Sequence, residues 1–236
     1  MTPTANRKHL FDIAVRMMVN QDWVKEGKEV EWVIVEDGAD DVQSLLTDLP
    51  ANIHVKYARL DGKHPIGKKR NQCLKEASGD ILIFHDDDDI YPSTHISYCV
   101  ECLTMQHNFG VLGSSATLVY NTQRDKFYLF GRVCENHTPC GHLAFTRKAL
   151  KQYGMKFRNK DTYGEEKYFL QEFRIPLFFK DFRKSVIAIQ HGKNTWNVLF
   201  DTAALAPDMW ENEEQKEFIH SKFQTKIEDK STSLNT

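Results

Sequence analysis

Short continuous apolar runs alternate along this chain with runs spaced like helix faces. "EVEWVIVEDG" (29–38) is a β-branched strand pattern that ends on two acids and a glycine, and "NIHVKYARL" (52–60) is a second strand. Between them, "ADDVQSLLTDL" has helical spacing after an aspartate cap. "IGKKRNQCLKEASGD" places Cys73, Leu74 and Ala77 at helix spacing, with Gly79 as its stop. "ILIF" follows as a short buried strand, then four aspartates, then a helix expected from about Pro92 to Met105 with Pro92 and Ser93 at its start. Strand and helix in turn imply a mostly parallel sheet with helices on both faces, and ligands outside the carboxyl ends of its strands. Both acidic endings, "VEDG" and "FHDDDD", fall at such ends.

The second half is patterned differently. "GVLGSSATLVYN", "KFYLFGRV" and "GHLAFT" are short strands separated by turn residues, expected to form a small antiparallel annex over the site. "TYGEEKYFLQEF" reads as a loop running into a helix, "SVIAIQHG" as a late strand, and "DMWENEEQKEFIHSKFQTKI" as an amphipathic helix before a frayed polar tail, "EDKSTSLNT". One domain over 1–236 is expected, with a first half (1–90), a second half (91–200) and a C-terminal helix and tail (201–236).

Composition narrows the function. Lys and Arg number 31 against 33 Asp and Glu, a net charge of −2, which argues against nucleic acid or another polyanion as the main partner. No apolar run reaches bilayer-spanning length, and "MTPTANRKHLF" lacks a signal-peptide core, so a soluble cytoplasmic protein is expected. Cys73, Cys99, Cys102, Cys134 and Cys140 are odd in number and follow no framework spacing. Buried reduced thiols are expected, over a zinc site built from Cys99, Cys102, Cys134 and Cys140.

The aspartate run carries the chemistry. In an extended segment Asp86 and Asp88 point one way and Asp87 and Asp89 the other, giving a D-x-D pair. Carboxylates suit hard divalent cations, and magnesium keeps positions open for phosphate oxygens, so a nucleotide diphosphate is the natural co-ligand. An EF-hand does not fit, because Tyr91 and Ser97 stand where its glycine and bidentate glutamate belong.

In order and rough spacing, "PTANR", "VEDGADD", "KRNQCLKEASGDILIFHDDDD" and "YGEEKYFL" resemble the inverting family 2 glycosyltransferases of the GT-A fold, over about residues 2–197. A fainter similarity is to glycosyltransferase domains of large algal viruses, which would place the protein in the host cytoplasm. The resemblance implies an α/β GT-A fold and a metal-dependent inverting hexosyl- or deoxyhexosyltransferase. Its donor would be a nucleotide-diphosphate sugar, UDP-linked, and its acceptor a hydroxyl of a glycan or glycoprotein. It implies Asp37 as acceptor of a base hydrogen bond, Pro3 and Thr4 lining the base pocket, Arg70 beside the base and Lys68 toward a phosphate. Asp86 would face the ribose or the metal, Asp88 would be the direct metal ligand, and either Asp87 or Asp89 would help to orient the sugar. His191, just past a late strand, is a third metal ligand in this reading, which tilts the ion toward Mn2+ over Mg2+.

The resemblance makes Glu166, or Glu165, the base that activates the acceptor. The family has Glu followed by Asp where this chain has two glutamates, so the choice between neighbours stays open. Only Met1 and Thr2 precede Pro3, so the first strand is expected to be very short or trimmed. His85 and His142 are read as structural, and Trp196 and Trp210 as packing residues that could also stack on a sugar. A sugar-1-phosphate nucleotidylyltransferase is the alternative enzyme, but it needs a Gly-rich loop and "PTANRKHLF" has no glycine. A binding module without catalysis is the alternative of another class.

Overall fold

The computed structural model describes residues 1–106, 109–114, 116–131, 134–192, 194 and 203–223. Its strands are β1 (Thr2–Ala5), β2 (Val30–Asp37), β3 (Ile53–Arg59), β4 (Ile81–Ile83), β5 (Val111–Ser114), β6 (Ala116–Asn121), β7 (Lys126–Gly131), β8 (Ala144–Thr146), β9 (Phe178–Lys180), β10 (Ile187–Gln190) and β11 (Ala204–Leu205). Its helices are α1 (Lys8–Val19), α2 (Asp22–Lys25), α3 (Ile66–Glu76), α4 (His95–Met105), α5 (Arg147–Gln152), α6 (Glu165–Phe169) and α7 (Glu213–Phe223). Trp196 and the polar tail lie outside the described residues.

β2 shows why the sheet takes helices on both faces. Alternate side chains leave a strand on opposite sides. Trp32 and Ile34 enter one core with Phe11, Ala14 and Met18 of α1. Val33 and Val35 enter another with Cys73 of α3 and the rings of Phe84, Phe145, Phe157 and Phe169. β1, β2 and β3 pair in parallel with β2 central. Two main-chain bonds carry the sheet onward: the Met1 nitrogen donates to Ile83 O (2.9 Å), and the His85 amide to Met1 O (3.0 Å). These bonds set the β1 edge of the three-stranded sheet β3-β2-β1 beside the β4 edge of a four-stranded sheet, β4-β8-β5-β9.

β10-β6-β7-β11 form a separate four-stranded sheet. Its core joins Leu10, Ile13 and Met17, on the other flank of α1, to Tyr91, Tyr120, Ile187 and Ile219. Reciprocal Ile90 and Ile187 main-chain bonds of 3.0 and 2.9 Å tie this annex to the acidic segment.

Three expectations change. The segment 39–49 forms only a 3-10 turn at Gln43–Leu45. The Glu36 and Asp41 carboxylates accept the amides of Val42 (3.1 Å) and Gln43 (3.0 Å), giving the backbone local partners in place of a helical turn. The helix expected from Pro92 starts at His95, because Pro92 O accepts the His95 amide at 2.9 Å in a preceding turn. "GVLG" and "GHLAFT" enter the main sheet, where β8 lies antiparallel between β4 and β5, and β10 joins β6 in parallel.

α3 is seated against residues 157–161 at very close range. A Cβ on Gly67 would lie 2.1 Å from Arg158 O, and the Gly67 amide donates to Asp161 O at 3.0 Å. Asn71 exchanges two 2.9 Å hydrogen bonds with the main chain of Phe157.

Candidate active site

The carboxyl ends of β1, β2 and β4 meet at one edge of the sheet, and each supplies acids or their partners. Asp37 ends β2 and is fully buried. Its Oδ1 accepts from Lys69 Nζ at 2.9 Å and its Oδ2 from the His64 amide at 2.5 Å. Pro3 is buried in β1 opposite Val35, next to Thr4.

The four aspartates divide their partners. β4 ends at Ile83, and Asp87 and Asp88 lie in a turn, so the strand alternation expected through the run does not hold. Asp86 takes a two-pronged bond from Arg70 at 2.9 and 3.2 Å, leaving that guanidinium on both its oxygens. Asp87 accepts from Thr4 Oγ1 (2.6 Å) and Arg7 Nη1 (2.7 Å). Asp88 Oδ2 meets the same Arg7 nitrogen (2.8 Å) and His191 Nε2 (3.0 Å). Asp89 Oδ1 accepts the Ile189 amide at 3.1 Å.

These environments separate the acids. Burial pushes the Asp88 carboxyl up, but the Arg7 charge and the His191 bond outweigh it and hold the group below the usual range. Burial, with the neighbouring charges of Asp88 and Asp86, drives Asp89 well above it. Gly141 leans directly on this cluster, since a Cβ there would lie 3.3 Å from Asp86 Oδ2 and 3.4 Å from Asp89 Oδ2.

The glutamates open α6, where the helix end favours acids, after Gly164 in a left-handed turn (φ 61°). They are not equivalent. Glu165 is buried, and Arg70 Nε donates to its Oε1 at 2.8 Å. Burial alone would raise it, but Arg70 brings it below the ordinary value. Glu166 is half-buried, and burial followed by the Glu165 charge outweighs the more weakly felt Arg70 and lifts it to about 7. The buried Cys140 completes a cluster with both glutamates, ligand atoms within 4.8 Å of one another.

The site residues expected from the sequence therefore fall into two groups. Asp86, Glu165 and Glu166 meet around Arg70, while Thr4, Asp87, Asp88 and His191 meet around Arg7. Arg70 is wedged between acids and over the Phe84 ring (4.8 Å). Lys68 stands apart, its Nζ 3.3 Å from the His64 ring. Lys69 and Arg7 were not singled out in the sequence. The signal for Lys69 was helical phase: it and Arg70 share the inward face of α3 with Cys73. Arg7 lies inside "PTANR", but its partners are some 80 residues away.

The histidines and cysteines sort themselves. His85 is buried and stacks on Tyr91 at 3.8 Å; burial takes it down to about 3, so it stays neutral. His142 bonds Ser185 Oγ at 2.6 Å. Cys99 and Cys102 sit in the core under α4, Cys140 lies beside the glutamates and Cys134 is exposed, so no four-cysteine zinc site is assembled. Trp210 packs edge-on to Tyr120 (4.7 Å) and Phe127 (5.0 Å).

The donors present fit a divalent cation. A carboxylate and an imidazole suit manganese. The two donor atoms for such an ion, Asp88 Oδ2 and His191 Nε2, lie 3.0 Å apart. Asp88 and His191 would hold it, and it would supply charge neutralisation to a departing diphosphate.

A main sheet with acids at its carboxyl ends and an annex closing beside them defines the GT-A class of nucleotide-sugar transferase folds. Residues 1–158 match the description "Glycosyl transferase family 2", and the chain belongs to that family. A β-1,3-glucosyltransferase of Campylobacter jejuni, acting on GalNAc(5)-diNAcBac-PP-undecaprenol, is 26% identical over 190 residues, 79% of this chain and 52% of the relative. The glycosyltransferase YfnE of Bacillus subtilis is 28% identical over 101 residues, 42% of this chain and 26% of the relative. The chain thus spans about half or less of these relatives. In fold it is similar to S. aureus TarS 1-349 in complex with UDP (TM-score 0.58, 16% identity, 80% of this chain and 59% of that one). It is likewise similar to the mannosyltransferase PcManGT of Pyrobaculum calidifontis with GDP-Man and Mn2+ (TM-score 0.57, 15% identity, 82% and 56%).

Proposed function

We propose that this chain transfers a sugar from a UDP-linked donor to a hydroxyl of an acceptor glycan, with inversion, assisted by Mn2+ or Mg2+. Glu166 is the base. The observation that carries this reading is the inequality of the glutamate pair: Glu165 is held by Arg70, whereas Glu166 is raised to about 7. A base should titrate near the working pH, so that it is partly ionised yet basic enough to accept a proton. Glu165 serves as its fixed neighbour, whose charge helps set that basicity.

Arg70 belongs to this machinery as a positioning residue, because one guanidinium holds Asp86 on the donor side and Glu165 beside the base. Asp37, bonded to Lys69, would back the nucleobase site together with Pro3 and Thr4, and Asp88 with His191 would hold the metal next to Asp87. Lys68 stays a phosphate candidate at the rim. Tyr163, 79% exposed just ahead of the glutamates, offers a ring face to an acceptor sugar.

The test compares Glu166→Gln with Glu165→Gln for sugar transfer, with donor binding measured separately by calorimetry. Glu166→Gln should lose about 10²- to 10⁴-fold in kcat while binding donor normally. Retention of most activity by Glu166→Gln, with loss confined to Glu165→Gln, would transfer the role to Glu165.

A further inference from the structure

We infer that Arg7 is an exchangeable counter-ion that occupies the cation position of the acidic turn and must withdraw when a divalent ion binds. This rests on Asp88 and His191 as metal ligands. Arg7 Nη1 lies 2.7 Å from Asp87 Oδ1 and 2.8 Å from Asp88 Oδ2, the same Asp88 oxygen that His191 approaches at 3.0 Å. An ion bound to that oxygen and to the imidazole competes with the guanidinium for one small volume, and two cations at that range repel strongly.

The two arginines of the site differ in freedom. Arg70 has a side chain 6% exposed and is held by Asp86 on one side and Glu165 on the other. Arg7 has a side chain 26% exposed, and its ion pairs are with Asp87 and Asp88. It stands in the turn between β1 and α1, just after Asn6 in the left-handed region (φ 52°), at the rim of the site. It can therefore swing outward without opening a core. When it leaves, Asp87 keeps the Thr4 hydroxyl on its other oxygen at 2.6 Å. The pair Asp87 and Asp88 is then left without its cation, which favours a divalent ion.

Arg7 thus lowers metal affinity and holds the turn together until metal and donor arrive. The test is calorimetric titration of Mn2+ alone into wild type, Arg7→Gln, Arg7→Lys and Asp88→Asn, with melting curves with and without Mn2+. Asp88→Asn should abolish binding. Arg7→Gln should tighten it at least about fivefold, the lower end of ordinary couplings between sites. Arg7→Gln should also melt earlier than wild type without metal and gain more from Mn2+. Arg7→Lys, which keeps the charge on a differently shaped head, should fall between.

If Asp88→Asn binds Mn2+ as wild type does, the ligand assignment fails. If Asp88→Asn loses binding but Arg7→Gln and Arg7→Lys bind Mn2+ no more tightly than wild type, the assignment stands and Arg7 is a permanent structural partner. Should Arg7→Gln fold poorly, the affinity of Arg7→Lys decides: unchanged or weaker binding overturns the inference.

Discussion

Glu166 can be read through acidity as well as turnover. Its folded value of about 7 lies above that of an unfolded glutamate, so the native state holds a proton that the unfolded chain has released. The stability this contributes is fully present below the unfolded value and is lost as pH rises through about 7. Denaturation midpoints of wild type should therefore drop more between pH 5 and pH 8 than those of Glu166→Gln. Transfer activity should run the opposite way, rising through the same range as Glu166 ionises. Glu165→Gln removes the neighbouring negative charge and should move that rise to lower pH.

α3 and the segment after β4 show what an element's pattern reveals and what it hides. The helix was legible because Cys73 and Ala77 repeat at its period, and the same phase marks Lys69 and Arg70 as inward and Lys68 as less buried. The 39–49 segment was misread because the Glu36 carboxylate that takes the Val42 amide belongs to the preceding strand, a contact no local periodicity encodes. The aspartates were legible as a cluster, but their division between Arg70 and Arg7 depends on a turn and on residues distant in the chain. Phe84 links the hydrophobic pattern to the site: it is fully buried against Phe145, Phe157 and Phe169, with the Arg70 guanidinium over its ring. Phe84→Ala should cost about 3–5 kcal/mol in urea unfolding with an unchanged m-value. It should also weaken donor binding, because Arg70 loses its platform.

At the scale of the whole molecule, the alternation of strand and helix was enough to anticipate a sheet with helices on both faces. The order of its later strands was not, because β8 inserts beside β4 across some 60 residues of intervening chain. Among the described residues no helix is long and apolar enough to cross a membrane. The UDP donor proposed above is tested at this scale. In a melting-temperature panel of UDP-, GDP- and dTDP-sugars, UDP compounds should give the largest rise, and only with Mn2+ or Mg2+ present. A larger rise with GDP-sugars would overturn the UDP assignment while leaving the transferase reading intact.

The tight seat of Gly67 on Arg158 has a mechanical corollary. Lys69 and Arg70 ride on the same rod that is riveted to 157–161, a few residues ahead of Glu165 and Glu166. Helix and loop are thereby yoked, and the Arg70–Glu165 ion pair carries the tie on to the first turn of α6.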